Sequence, residues 1–295
     1  MKTHWFLILI ILLPCCNVTD NSQFNVLDFG AVADGITDNT EAFQSALDKA
    51  ASIGGIVNIP AGQYKIEGVL TIPDGVTLKG IAEGPVTANL KWGTILLAYA
   101  GRDNEESPPF ITLLNNSTIK GLSIYYPEQV VTGIHPYPWT IQIKGNRSNI
   151  IDLNFVNSYN GIDCGSVYHG QDYKGNRGPI KLTNCGFWGW AESLGGTHIV
   201  NKGEGTVYLT ACNFNAKNWI ECHWKPEIPF IKMENGTLQI MNSRFQDNGN
   251  TPDAHIYLGE NVRSAVIIGN SVEGGDLHVT NKSKGDVQIM GNVTE

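Results

Sequence analysis

The chain has 295 residues, 33 of them glycine, and only 16% of them charged, a mixture that suits short strands and tight turns rather than helical bundles. A formal net charge of −8 leaves no basic stripe to neutralise phosphates, which excludes a nucleic-acid binder and disfavours unaided binding of a polyanionic glycan. Past the first sixteen residues the cysteines are Cys164, Cys185, Cys212 and Cys222, and none stands in a CxxC or Cys/His metal spacing.

Residues 1–16 carry Lys2 near the start and an apolar run from Trp5 to Leu13. This reads as a secretory signal peptide, too short to span a bilayer. Cys15 and Cys16 follow the run directly, so a lipoprotein anchor through one of them is the alternative, although Leu13-Pro14 lack the small residues such a site prefers. No later stretch is long and apolar enough to cross a membrane. The expectation is a secreted or periplasmic protein with no integral membrane segment once the signal is removed, and one large domain over residues 25–295.

From Asn25 to Tyr64 the chain reads as a strand, a Gly/Asp-rich turn, one short helix, and a further strand. Asp38 is placed to cap the helix and Glu41 follows at capping-box spacing. Ala42, Phe43, Ala46, Leu47 and Ala50 share one face, and Gly54-Gly55 ends the helix near Ala51. Ile56, Val57 and Ile59 then lead into the turn Pro60-Ala61-Gly62. The order D-F-G-A-x-x-D-G-x-x-D-N-T-x-A-F at Asp28 to Phe43, followed by G-G-x-V-x-I-P-x-G-x-Y at Gly54 to Tyr64, resembles the entry segment of the pectate-lyase-like superfamily. The resemblance implies an all-β fold, a single-stranded right-handed parallel β-helix with a short N-terminal capping helix. It leaves the reaction open, because hydrolases, lyases, epimerases and non-enzymes share that fold.

From about residue 75 the strands repeat. One inward column runs Ile124, Phe155, Phe187, Phe214, Phe245, Val272 and Val293, and a second runs Ile141, Ile162, Ile199, Ile220, Ile256 and Val279. Alternation puts Ile143, Cys164, Asn201, Cys222, Leu258 and Asn281 on the same inward face. Cys185 stacks on Cys212 one rung away, as core residues or as a disulfide. Asn184, Asn242 and Asn270 fall at rung corners, where their amides bond the turn backbone. The chain stops in a rung-like strand at Asn292 to Glu295, which leaves a shortened relative or a gene fragment as a reading.

The same alternation turns Asp163, His198 and Glu221 outward on three consecutive rungs. Rungs about 4.8 Å apart would separate the two carboxylates by about 10 Å, near the spacing of inverting glycoside hydrolysis. This makes Asp163, Glu221 and His198 the candidate catalytic residues. Trp139, Trp188, Trp190 and Trp219 cluster around them and offer faces on which sugars stack. Two longer segments, 167–178 and 223–235, bring His169, Tyr173, Arg177, His223 and Lys225 to the groove edge, where the cations would meet a carboxylated sugar. The Asn-Thr-Asp, Asp-Asp, Gly-His-Gly and Arg-x-Lys motifs of polygalacturonase-type hydrolases are missing, so none of their catalytic residues carries over.

The expected function is a secreted, polysaccharide-degrading protein acting on a plant or algal wall glycan such as pectin, as a glycoside hydrolase ahead of a lyase. The alternative is a non-catalytic β-helix that binds glycan or serves as a structural, tailspike-like surface protein. No metal or other cofactor is expected, with Ca²⁺ the exception if the protein is a lyase.

Overall fold

The computed structural model describes residues 22–82, 90–130, 133–165, 178–188, 196–215, 227–247 and 251–295. Their strands pair in parallel along three faces, so that each turn of chain visits a first, a second and a third sheet before stacking on the turn below. This is a parallel β-helix. The first sheet contains Ile56–Asn58, Ile180–Thr183 and Asp286–Met290, the second Gly62–Ile66, Gly186–Trp188 and Arg244–Gln246, and the third Leu70–Ile72, Trp139–Ile143 and Val279–Asn281.

The helix spans Thr40–Ala51 and buries Phe43, Ala46, Leu47 and Ala50 against the first turns of the solenoid. It starts later than the sequence predicts. Asn39 is the capping residue, but its amide is committed elsewhere, donating to Val32 O and Thr37 O at 3.1 and 2.7 Å. The Asp38 carboxylate takes the Thr40 N–H instead, together with the Thr40 hydroxyl and the Glu67 N–H. The Asp-Gly and Asp-Asn-Thr residues of the entry segment therefore do structural work, tying the helix to the first rung. Burial raises the Asp38 pKa, but the hydrogen bonds from Thr40 and the Glu67 N–H outweigh it and hold the carboxyl below its ordinary value. A depressed carboxylate stabilises the fold above its unfolded pKa and loses that contribution as pH falls through the folded one. Asp38→Asn should thus lower stability by about 1 kcal/mol near neutrality and flatten the acid limb of a pH–stability curve, which thermal melts across pH would test.

The inward aromatic column forms as expected. Phe155 stacks on Phe187 with centroids 4.6 Å apart, Phe187 on Phe214 at 5.2 Å, and Phe214 on Phe245 at 5.2 Å. The register continues upward through Ile124 and Leu96 and downward to Val272. Val293 is the exception, since it pairs with Ser271 while Thr294 pairs with Val272.

At the corner between the first and second sheets the chain turns through a single left-handed residue on successive rungs: Gly121, Asp152, Asn184, Ala211, Asn242, Gly269 and Gly291. Asn and Gly adopt that conformation at little cost, and Asn270 also bonds the turn through Ser243 N–H and Ile240 O. Ala211, at φ +55°, has neither advantage. Ala211→Gly is expected to stabilise the protein by about 1 kcal/mol, read as a raised denaturation midpoint with an unchanged denaturant slope.

Candidate functional site

The three corners differ in what they carry. The first-to-second corner is a single residue from Gly121 onward. The second-to-third corner carries the long connections 99–110, 126–138, 189–198, 216–230 and 247–255, and the third-to-first corner carries one more, 164–179. Long connections thus leave from both edges of the third sheet, which makes its outer surface the candidate binding face. Strand register lines up the outward residues of that face as Thr71, Thr112, Gln142, Asp163, Val200, Lys232, Tyr257 and Thr280. Lys202 and Lys282 are exposed just beyond their strands, and Lys232 Nζ lies 2.8 Å from Glu234. In an acidic protein, this sheet thus carries Lys232 on its outer row and two exposed lysines at its edge.

Asp163 occupies the row, as its register predicts, but it is buried. Its Oδ2 accepts from Gln142 Nε2 at 3.0 Å and its Oδ1 from Gly165 N–H at 3.0 Å.

His198 does not face outward. It is fully buried at the second-to-third corner, its ring 4.9 Å from Phe187 and 5.3 Å from Phe230, and its Nε2–H donates to Asn215 O at 3.0 Å. Alternation holds only inside a strand. His198 precedes the strand Ile199–Asn201, where the chain bends and two successive side chains turn inward.

Glu221 lies outside the described residues, as do His169, Tyr173, Arg177, Trp190, Trp219, His223, Lys225, Ile220 and Cys222. The register nevertheless corrects the expected rung. The strand that pairs with Ile199–Asn201 is Ile231–Met241, so Ile231 takes the column position expected of Ile220, Met233 that of Cys222, and Lys232 that of Glu221. The predicted row of carboxylate, histidine and carboxylate becomes Asp163, Val200 and Lys232. Trp139 and Trp188 are both half-buried, but Trp139 opens a strand of the third sheet while Trp188 closes one of the second. The structure therefore does not bring these two together on one face.

A polar network absent from the sequence-based expectations joins the first two long connections to each other. Arg102 Nη1 donates to Glu128 Oε1 at 2.6 Å and Nη2 to His135 Nε2 at 2.8 Å, which leaves His135 Nδ1–H to donate to Asp103 Oδ1 at 2.7 Å. Tyr137 OH donates to Glu128 Oε2 at 3.1 Å, and Tyr159 OH to Glu105 Oε1 at 2.9 Å. Burial, aided by the Glu105 carboxylate, pushes the Tyr159 phenol up to about 12. The charge run Arg102-Asp103-Asn104-Glu105-Glu106 and the prolines around His135 were the available signals. Arg102→Ala should cost only about 1 kcal/mol, because the ion pairs are partly exposed. It should nevertheless speed proteolytic nicking within residues 99–138, which limited digestion would show.

A buried pair sits lower on the same corner. Asp247 Oδ1 accepts from His255 Nε2–H at 2.7 Å, and His255 Nδ1 accepts the His278 N–H at 2.9 Å. Among the described residues no group of three or more His, Cys, Asp or Glu is placed to hold a metal ion. No helix among them is long and apolar enough to cross a membrane.

Comparison with known proteins places this geometry. Mannuronan C5-epimerase AlgE5 of Azotobacter vinelandii is 41% identical over 76 residues, covering 23% of this chain and 8% of the epimerase. The tail spike protein of Shigella phage Sf6 is 42% identical over 112 residues, covering 35% of this chain and 18% of the tail spike. The chain thus matches only a small part of the length of these relatives. The ORF18 structure of Geobacillus virus E2 superposes with a TM-score of 0.53 at 16% identity, covering 93% of this chain and 61% of that one, a likeness of fold alone. The family model described as "Rhamnogalacturonase A/epimerase, pectate lyase-like" matches residues 23–208. With more than half of its length matched on a parallel β-helix, the chain belongs to the rhamnogalacturonase A/epimerase, pectate lyase-like family.

Proposed function

We propose that this protein is carbohydrate-active and takes a glycan along the outer face of the third sheet, degrading it as a glycoside hydrolase ahead of a lyase. The observation that carries the reading is the single groove face. Long connections leave from its edges, and Gln142, Lys202, Lys232, Tyr257 and Lys282 offer groups along it that bond hydroxyls and carboxylates. The mannuronan C5-epimerases among the relatives support carbohydrate as the ligand class. The N-terminal apolar run supports secretion as the route to an external wall glycan such as pectin. In the hydrolase reading Asp163 is the carboxylate of the row, and Asp163→Asn costs about 10²–10⁴-fold in turnover.

The state of Asp163 also favours a second reading, a non-catalytic glycan binder. A buried carboxylate with both oxygens hydrogen-bonded is held for structure rather than poised as an acid. One experiment separates the readings: incubation with a panel of pectic and algal polysaccharides, following reducing ends, ultraviolet absorbance and equilibrium binding. New reducing ends without absorbance identify a hydrolase, and absorbance from unsaturated products identifies a lyase. Binding without either leaves the second reading, and no interaction with any glycan overturns both.

A further inference from the structure

The corner between the first and second sheets sets two thiols face to face. Asn184 N–H donates to Thr210 O at 3.0 Å and Asn213 N–H to Cys185 O at 2.8 Å, while Gly186 pairs with Asn213. This register stacks Cys185 directly on Cys212. Each follows a left-handed residue, Asn184 at φ +52° and Ala211 at φ +55°, so both side chains leave the backbone in the same direction. Neighbouring strands put their Cα atoms about 4.8 Å apart, inside the range of about 4.4–6.8 Å that a disulfide accepts.

The two side chains lie within hydrogen-bonding reach of each other. Both are free thiols with almost no solvent exposure. The Cys185 sulfur also lies 3.5 Å from both Ile150 O and Thr183 O, and the Cys212 sulfur 3.7 Å from Leu182 O and 3.6 Å from Thr210 O, alternative acceptors for each single S–H. On the next rung Ser243 holds the equivalent place, its hydroxyl accepting the Cys212 N–H at 3.2 Å. The corner therefore accommodates a small polar side chain at this position.

We propose that Cys185 and Cys212 are a redox-closable pair, which a small disulfide oxidant converts into a cross-link between adjacent rungs. The chemistry is thiol–disulfide exchange. One cysteine, as thiolate, attacks a sulfur of the oxidant and displaces its first thiol, and the mixed disulfide is then attacked by the other cysteine, displacing the second. The protein loses two thiol hydrogens, and the oxidant is reduced to two thiols. Burial pushes the Cys185 thiol well up, whereas the hydrogen bond from Cys185 holds Cys212 below its ordinary value. Cys212 is therefore the attacking thiolate, and with both side chains buried the oxidant reaches it only when the corner opens locally.

Strands Gly186–Trp188 and Asn213–Asn215 follow the two cysteines directly and lead into connections 189–198 and 216–230. A covalent tie between the cysteines therefore couples two adjacent strands of the second sheet, whatever ligand the protein takes.

The test uses the full-length protein incubated with oxidised glutathione, with free thiols then capped, followed by peptide mapping under non-reducing conditions. The expected product is a cross-linked peptide pair containing Cys185 and Cys212, two hydrogens lighter and separated by dithiothreitol, and forming faster in mild denaturant. Closing a loop of 27 residues should raise the thermal midpoint by about 5–10 °C. Cys185→Ser and Cys212→Ser should each fold, abolish the cross-link and remove the shift. Recovery of both cysteines as capped thiols after oxidation in mild denaturant, or a cross-link that instead joins Cys164 or Cys222, overturns the proposal.

Discussion

Replacing Phe214 by Ala is expected to lower the unfolding free energy by about 3–5 kcal/mol. The ring is fully buried and lies 5.2 Å from Phe187 above and 5.2 Å from Phe245 below, with His198 at 6.1 Å. Its strand pairs on both sides, through Phe187 and Phe245, so the backbone cannot collapse into the space the ring vacates. The cost therefore includes both lost burial and an unfilled cavity. Phe214→Leu keeps much of the volume and should cost less than half as much. Denaturant titrations of both variants provide the measurement, and a loss below about 1 kcal/mol for Phe214→Ala would mean that the column is not closed around the ring.

Reversing the charge of Lys202, Lys232 and Lys282 together should weaken binding of a carboxylated glycan at least 100-fold at low ionic strength, about fivefold or more for each position. The three lie on one sheet or at its edge, where their fields add over a bound polyanion, while the protein as a whole is acidic. Added salt should erase much of the difference. The same change at Lys79 and Lys120, which are paired on the outer face of the first sheet, alters net charge without touching the groove and should leave binding nearly unchanged. Equal losses from the two sets, measured by calorimetry, would show that net charge alone matters and would remove the third sheet as the binding face.

The inward phenylalanines were legible because two constraints act on them at once, alternation along each strand and repetition between rungs. The third sheet was harder to read. Trp219-Ile220-Glu221-Cys222 and Phe230-Ile231-Lys232-Met233 share one pattern, an aromatic, an isoleucine, a charge and a sulfur residue. Either fits the rung locally. Only pairing to Ile199 selects the second, and that choice replaces a carboxylate in the groove with a lysine. His198 was misplaced for a different reason, since it stands at a bend where period two lapses. The network of Arg102, Glu128 and His135 joins two connections that have no period, so nothing in the order of residues pairs them.

By itself, then, the sequence determined the solenoid, its capping helix face and its aromatic column, because each depends on local backbone preference and on burial repeated at near-constant intervals. The tertiary structure decided which of two equivalent strands enters the third sheet, which way a corner histidine turns, and which charged loops meet. Those outcomes depend on the length and path of the connections between rungs, and such long-range closure leaves no periodic trace in the chain.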